Sequence, residues 1–185
     1  MKHYKIESIG NKQRRLLFLN SEQINKLLAQ PNLKLKQGIR DRAILEVLIS
    51  SGLRLSELTN LNRSDINLKT GEFTVVGKGN KVRICFLTER ALYWLNNYLN
   101  TRKDNYPALF THFRQRPEWL EKNNGRMFKM AIYEVVKKYA RLANLDNRVC
   151  THTLRHSFAT LLLQNGANIK AVSYTHLTLP TIYSV

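Results

Sequence analysis

The sequence predicts an α+β fold that is mainly helical and contains one small antiparallel sheet. Several segments repeat apolar residues with the helical period, whereas residues 72–86 alternate with period two on either side of a Gly-Lys-Gly-Asn turn. Hydrophobic residues make up 43% of the 185 residues, enough to bury a core in a domain of ordinary size. We therefore expect a folded domain rather than a disordered chain.

The first helices have local start and stop signals. In LFLNSEQINKLLA, Asn20 is a candidate N-cap, Gln23 lies three residues on, and Leu19 precedes them as a hydrophobic staple. RDRAILEVLISSG predicts a second helix that ends at Gly52. LRLSELTNL predicts a short third helix directly after it, and Thr88 opens a fourth in TERALYWLNNYLNTR.

The sheet is predicted from the segment GEFTVVGKGNKVRICFL. Phe73 and Val75, and then Val82, Ile84 and Phe86, alternate with other residues across the turn, which indicates a hairpin. ALFTHF is a candidate third strand, so the sheet is expected to contain two or three strands.

Two more helices follow the sheet. GRMFKMAIYEVVKKYARLANL predicts a long amphipathic helix with Met130, Val135 and Leu142 near its apolar stripe. THTLRHSFATLLLQNG predicts a capped helix that stops at Gly166. The segment after it, NIKAV, is also typical of a helix.

The charge balance is strongly basic. The chain carries 30 Lys and Arg against 13 Asp and Glu, a formal charge of +17, which favours a polyanionic partner. Nucleic acid is the first interpretation, an anionic membrane surface the second, and a solvated basic surface without a partner the third.

No feature of the sequence points to a membrane-spanning segment or to secretion. No apolar run approaches the ~18 residues of a spanning helix, and MKHYKIESIG lacks the apolar core of a signal peptide. Cys85 and Cys150 are not in a CxxC spacing, so we expect free thiols and a cytoplasmic protein.

The segment THTLRHSFAT concentrates groups that favour an anion. His152 and Arg155 lie one turn apart near a helix start that Thr151 or Thr153 could cap, where free N–H groups attract phosphate. The alternatives are side chains that only satisfy backbone carbonyls, and a metal pair made by His152 and His156. The metal pair lacks the Glu of an HExxH motif, so we expect no metal.

Two further basic motifs are ambiguous when each is taken alone. In SGLRLSEL, Arg54 at a helix start opposes the helix dipole, and Glu57 could orient it or merely form a surface bridge. In GKGNK, Lys78 and Lys81 occupy a hairpin tip that could close over a phosphate or remain a solvated turn.

The order of these motifs is more specific than any one of them. SGLRLSEL, the hairpin with GKGNK and then HTLRHSFAT resemble the catalytic domain of the tyrosine recombinase, or phage integrase, family, especially its Xer-like bacterial members. The resemblance runs from about Leu17 to Val172. It implies an integrase-like catalytic domain over residues 17–172, with residues 1–16 as a linker or truncated end.

The resemblance also implies roles for individual residues. Arg54 matches the first catalytic arginine, Lys78 the hairpin lysine, and His152 and Arg155 the catalytic histidine and second arginine. Glu57 matches an acidic residue that supports the first arginine. Such enzymes recombine or integrate double-stranded DNA as tetramers, through a 3′-phosphotyrosyl intermediate that conserves bond energy, without a metal or another cofactor.

The C-terminal segment departs from the family pattern. SYTHLTLPTIYSV, residues 173–185, contains no Lys, Arg, Asp or Glu and no LGH motif, and we expect that it is not the native continuation. Tyr174 and Tyr183 are available, but neither has the spacing of the family nucleophile. The nucleophile is therefore unassigned, with Tyr183 as a weak candidate. The alternatives are a truncated, cleavage-inactive DNA-binding fragment and an unrelated basic nucleic-acid-binding protein.

Overall fold

The computed structural model describes residues 17–77, 82–113 and 116–166, and these form a mainly helical fold around a small antiparallel sheet. This confirms the predicted fold class. None of the described helices is long and apolar enough to cross a membrane. The elements are α1 (Ser21–Leu28), α2 (Lys36–Ser51), α3 (Leu55–Asn60), a 3₁₀ turn (Arg63–Asp65), β1 (Glu72–Val76), β2 (Val82–Phe86), α4 (Glu89–Thr101), α5 (Pro117–Lys122), α6 (Lys129–Leu142) and α7 (Thr151–Gln164).

The predicted N-caps of α1 and α4 are confirmed. The backbone N–H of Gln23 donates to Asn20 Oδ1 over 2.9 Å, and that of Asn20 donates to Gln23 Oε1 over 3.0 Å. At α4, Thr88 Oγ1 accepts from a backbone N–H of the first turn. These reciprocal bonds satisfy amide donors that a helix start leaves without partners.

Helix α2 is the centre of the molecule, packed between α4 and α7 and buried along most of its length. It begins at Lys36, four residues before the predicted start at Arg40. The difference arises at Gly38, which belongs to the first turn rather than to the preceding loop. A Cβ there would lie 1.9 Å from the carbonyl oxygen of Asn32, so only glycine lets this loop close onto the helix.

Gly52 ends α2 as predicted, in the left-handed conformation with φ of 58°. Its N–H donates to the carbonyl of Leu48 over 3.0 Å. A Cβ on this glycine would lie 2.4 Å from Cδ1 of Phe158 on α7. Gly52 therefore permits both the helix end and the close approach of α7.

Replacement of Gly52 by alanine is expected to lower the free energy of unfolding by roughly 2–4 kcal/mol, from backbone strain plus the clash with Phe158. Urea denaturation measures the loss. The matched control is Gly166→Ala, where φ is also positive at 85° but a Cβ meets no atom of the described residues within 4 Å, so that strain is added without the Phe158 clash. Equal losses in the two variants would contradict the packing role of Gly52.

The hairpin places the apolar residues of its two strands on opposite faces. Phe73 pairs with Cys85 and Val75 with Arg83, and on β1 the apolar residues Phe73 and Val75 are buried. On β2 the apolar residues Val82, Ile84 and Phe86 are exposed. The period-two alternation is therefore present in both strands, but on β2 it is Arg83 and Cys85 that face inward.

The candidate third strand, residues 108–113, does not extend this sheet, and within the described part of the chain the sheet has two strands. Ala108 forms an isolated bridge to Asn62, and Thr111 forms another to Arg126. Because the segment changes partners after three residues, no continuous ladder can form.

The stripe predicted for α6 is only partly right. Val135 is buried, but Met130 and Leu142 are 65% and 55% exposed. Met130 lies roughly 140° around the helix from Val135, and Leu142 is in line with Val135 but in the last turn, beyond the core. The buried face consists of Ile132, Val135, Val136, Tyr139 and Ala140.

Candidate functional site

Two of the basic residues singled out in the sequence, Arg54 and Arg155, meet where the end of α2, the start of α3, strand β2 and helix α7 come together. Arg54 is the N-cap of α3, and Arg155 lies in the second turn of α7. The two are 101 positions apart in the chain, yet the charge of Arg54 acts on Arg155. The fold therefore brings Arg54, Glu57 and Arg155 together.

Glu57 is the acidic centre of this cluster and is buried. Its Oε2 accepts from the backbone N–H of Arg54 over 2.7 Å, and its Oε1 accepts from Arg54 Nη1 over 2.9 Å. The carboxylate thus caps α3 and orients the arginine in one arrangement. This geometry differs from the solvated surface bridge that was the alternative interpretation of SGLRLSEL.

A third arginine, which the sequence did not single out, completes the cluster. Arg83 on β2 donates from Nη1 and Nη2 to the two oxygens of Glu57, each over 2.8 Å. Such a two-pronged pair is geometrically specific. The available signal was an arginine at an inward position of the alternating strand, between the outward Val82 and Ile84.

Charge and burial oppose one another at Glu57. Burial alone would raise the pKa of its carboxyl group, but hydrogen bonds from Arg83 and Arg54 outweigh burial and lower the pKa to about 2. The carboxylate is therefore ionised at every pH at which the protein is normally studied, and it balances one of the three arginines.

Arg155 is the most buried of the three arginines. Its Nη1 donates to the carbonyl oxygen of Gly52 at the end of α2. Burial, followed by repulsion from Arg54 and Arg83, lowers the pKa of Arg155 to about 10. A guanidinium that is still charged at neutral pH, but destabilised by burial and like charges, gains from a bound anion.

His152 lies on the exposed side of the same helix start, one turn before Arg155. The cap of α7 differs from the prediction, because Cys150 is the N-cap and Thr151 is the first, buried helical residue. Thr153 Oγ1 accepts from the backbone N–H of Cys150 over 3.2 Å, so Thr153 contributes to the cap and Thr151 does not.

His156, the other half of the metal pair weighed above, is partly buried. Burial and the neighbouring positive charges of His152 and Arg155 lower its pKa. In residues 17–77, 82–113 and 116–166, no group of three His, Cys, Asp or Glu side chains is arranged to hold a metal ion.

Lys78 and the two candidate nucleophiles, Tyr174 and Tyr183, lie outside the described residues. Their assignments stay predictions. What the described residues provide is a cluster with excess positive charge, in which Arg54, Arg83 and Arg155 are opposed by Glu57. Arg54 is the accessible arginine, since its side chain is 39% exposed. The arrangement suits an anion with two oxygens that can each accept hydrogen bonds from an arginine, such as a phosphodiester.

The low pKa of Glu57 predicts an acid-dependent loss of stability. A carboxyl group whose pKa is about 2 when folded and 4.5 when unfolded contributes stability above pH 4.5 that is lost as the pH falls through 2; the difference is worth roughly 3 kcal/mol. We expect urea denaturation of the wild type to show this extra loss between pH 4.5 and 2, and Glu57→Gln to lack it. Parallel pH profiles would contradict the assignment.

Comparison with known proteins identifies the family of this chain. Residues 17–176 match the family model described as the phage integrase family. The tyrosine recombinase XerD of Yersinia pestis is 39% identical over 155 residues, which cover 83% of this chain and 51% of that protein. XerD of Xanthomonas axonopodis pv. citri (strain 306) is 37% identical over 176 residues, covering 90% of this chain and 57% of that protein.

Solved structures share the fold. The XerA recombinase superposes with a TM-score of 0.72 at 27% identity, over 87% of this chain and 55% of that one. The XerH site-specific recombinase, in its post-cleavage complex with a palindromic difH substrate, superposes with a TM-score of 0.71 at 24% identity, over 89% and 47% of the two chains. The chain spans about half the length of the XerD proteins it matches. It belongs to the phage integrase family, with Xer-type tyrosine recombinases among its relatives.

Proposed function

We propose that this chain contains the catalytic domain, residues 17–172, of a site-specific DNA recombinase that cleaves and rejoins DNA strands. The observation that carries the proposal is the meeting of Arg54, Glu57 and Arg155 at one site, in a chain that is 39% identical to a XerD recombinase. The substrate is double-stranded DNA, consistent with the charge of +17.

Arg54 and Arg155 bind the scissile phosphate. Their flat guanidinium groups each present several N–H donors, so Arg54 and Arg155 can grip the two non-bridging oxygens and stabilise the charge of the five-coordinate transition state. Glu57 fixes Arg54 before the substrate arrives, which avoids the cost of ordering that side chain during the reaction.

The chemical step is a transesterification. A tyrosine hydroxyl attacks phosphorus, its O–P bond forms as the bond to the 5′-oxygen breaks, and a 3′-phosphotyrosyl ester and a 5′-hydroxyl result. His152 takes the proton from the tyrosine, and Lys78 gives a proton to the departing oxygen. Tyr183 and Tyr174 are the candidate nucleophiles.

We also propose that the protein is cytoplasmic and acts as a tetramer on paired DNA sites.

A detergent-resistant DNA adduct tests the proposal. The protein is incubated with nicked duplexes that trap the covalent intermediate, denatured in detergent and analysed on a gel. Because the target sequence is unknown, the duplexes come from a randomised pool. An adduct that is lost in Arg155→Ala would show that this chain cleaves DNA, and its loss in Tyr183→Phe or Tyr174→Phe would identify the nucleophile, which the family spacing leaves unassigned.

The same experiment separates the alternatives. DNA binding that depends on Arg155 without any adduct would favour a DNA-binding protein that does not cleave. Binding that is equally strong in the wild type and in Arg155→Ala would contradict the proposed function and favour a basic protein that binds nucleic acid by net charge alone.

A further inference from the structure

We propose that Arg83 is a positioning residue of this site: it neutralises Glu57, so that Glu57 orients Arg54 without cancelling the positive charge that Arg54 presents to a DNA phosphate. The inference rests on the proposed function, because it assigns Arg83 a task in phosphate binding that Arg83 carries out through Glu57 and Arg54.

The two ion pairs of Glu57 differ in a way that divides their tasks. The side chain of Arg83 is 11% exposed, and its fork contacts both carboxylate oxygens. The side chain of Arg54 is 39% exposed, and its guanidinium contacts only Oε1 of Glu57, through Nη1. Arg83 thus lies behind the carboxylate, on the protein side, while Arg54 lies in front of it, toward solvent.

The occupied oxygens constrain Arg54. With Arg83 on both oxygens of Glu57 and the backbone N–H of Arg54 on Oε2, the carboxylate has little capacity left for a second arginine fork. Arg54 therefore keeps donors for a ligand. Without Arg83, the Arg54 guanidinium could rotate to pair with both oxygens of Glu57. Its charge and donors would then bind Glu57 and not a ligand.

The charge count leads to the same conclusion. The three arginines and Glu57 sum to an excess of two positive charges, and the loss of Arg83 halves it. Nη1 and Nη2 of Arg83 already donate to the two oxygens of Glu57, so the Arg83 fork is directed at Glu57 and not at a phosphate. The effect of Arg83 on DNA affinity should therefore require Glu57. The effect of a lysine or arginine that contacts DNA directly would not.

The molecule contains a matched control. Glu46 is likewise buried and accepts from two arginines, Arg42 Nε and Arg90 Nε, each over 3.0 Å. The side chain of Arg42 is 15% exposed, close to that of Arg83. Arg42→Gln thus removes one charge and one partner of a buried glutamate, as Arg83→Gln does, in a cluster that contains none of the site arginines.

The experiment measures binding of a fluorescent 30-base-pair duplex by anisotropy, at several salt concentrations and at a temperature where circular dichroism shows every variant folded. Arg54→Gln and Arg83→Gln are each expected to lose roughly tenfold in affinity and to reduce the salt slope by about one, the effect of one lost phosphate contact. Arg42→Gln should lose at most about twofold, from long-range charge alone.

A Glu57→Gln background shows whether Arg83 acts through the carboxylate. There, Arg83→Gln should weaken binding no more than Arg42→Gln does, since no negative charge is left to offset. If the Arg83→Gln variant alone fails to fold, the comparison of Glu57→Gln with Arg83→Gln/Glu57→Gln still tests the role of Arg83. Arg83→Lys, which keeps the charge, should retain affinity within about threefold of the wild type.

The pH profile gives a readout that a purely structural role would not move. Glu57 faces Arg54 at the start of its own helix, Arg83 and Cys85 on β2, and Arg155 on α7. In Arg83→Gln, DNA affinity should recover as the pH falls and Glu57 becomes protonated. Arg83→Gln/Glu57→Gln should show no such recovery, and it corrects for every pH effect on binding that does not act through Glu57.

The outcomes distinguish this inference from the proposed function. If Arg54→Gln loses affinity but Arg83→Gln behaves like Arg42→Gln, the positioning role is wrong and the phosphate site stands. A tenfold loss that persists in the Glu57→Gln background, or one that Arg83→Lys fails to restore, also overturns it. If Arg54→Gln itself loses nothing, both the proposed function and this inference are overturned.

Discussion

Replacing Arg155 by glutamine is expected to weaken binding to duplex DNA by roughly thirtyfold or more. Arg155 is buried, and the charges of Arg54 and Arg83 disfavour its own charge, so its contact with a phosphate would be a desolvated, charge-assisted one. Truncating one partner of such a pair costs roughly 2–5 kcal/mol, and about 1.4 kcal/mol is a tenfold change. Fluorescence anisotropy over a salt series measures the loss.

The control for Arg155 is Lys34→Gln. Lys34 is exposed in the loop before α2, whereas Arg155 contacts Gly52 at the other end of that helix; 16 residues of helix separate the two positions by roughly 24 Å. If the two variants lose equal affinity, the protein binds DNA through its overall charge and not through a phosphate site. Because Arg155 also holds the end of α2, both variants must be compared while fully folded.

Asp41→Ala is expected to produce the largest loss of stability, roughly 3–5 kcal/mol in the free energy of unfolding. Asp41 and Arg40 are both buried in α2. Asp41 Oδ1 accepts from Arg40 Nε over 3.0 Å and from Arg40 Nη2 over 2.7 Å, and its Oδ2 accepts from the Tyr139 hydroxyl over 3.0 Å. The alanine variant would leave the Arg40 charge buried without its counterion.

Urea denaturation at neutral pH measures this loss. Tyr139→Phe removes only the neutral donor and should cost about 1 kcal/mol. Asp146→Ala, at the exposed pair with Arg148, should leave the denaturation midpoint nearly unchanged. A loss in Asp41→Ala no larger than that of Tyr139→Phe would show that the carbonyl of Thr111, which also accepts from Arg40, is sufficient for that arginine.

Features set by near neighbours in the chain were predictable from the sequence. The reciprocal cap of Asn20 and Gln23, the helix end at Gly52 and the alternation of the hairpin each depend on residues within four positions of one another. The start of α2 and the path of residues 108–113 were not predictable in this way. The first depends on the approach of Gly38 to the carbonyl of Asn32 in the preceding loop, and the second on bridges to Asn62 and Arg126, which are more distant in the chain.

The candidate site also has one part that was predictable from near neighbours in the chain and another part that was not. Arg54 and Glu57 are three positions apart, so their pairing follows from helix geometry. The meeting with Arg155 was expected from the family resemblance and from no local pattern. Arg83 was missed because the apolar residues of β2 suggested that their own face is buried, whereas packing against Glu57 selects the other face. Strand faces are decided by tertiary contacts, which the alternation does not contain.

The most direct measurement of the central claim is a titration of the protein with duplex DNA, followed by the ¹⁵N signals of the arginine side chains in NMR spectra. Single Arg→Gln variants assign the signals. We expect the signals of Arg54 and Arg155 to shift and broaden at the same DNA concentration, while that of Arg42, bound to Glu46, stays in place. Unchanged Arg54 and Arg155 signals in a fully formed complex would contradict a phosphate site at this cluster.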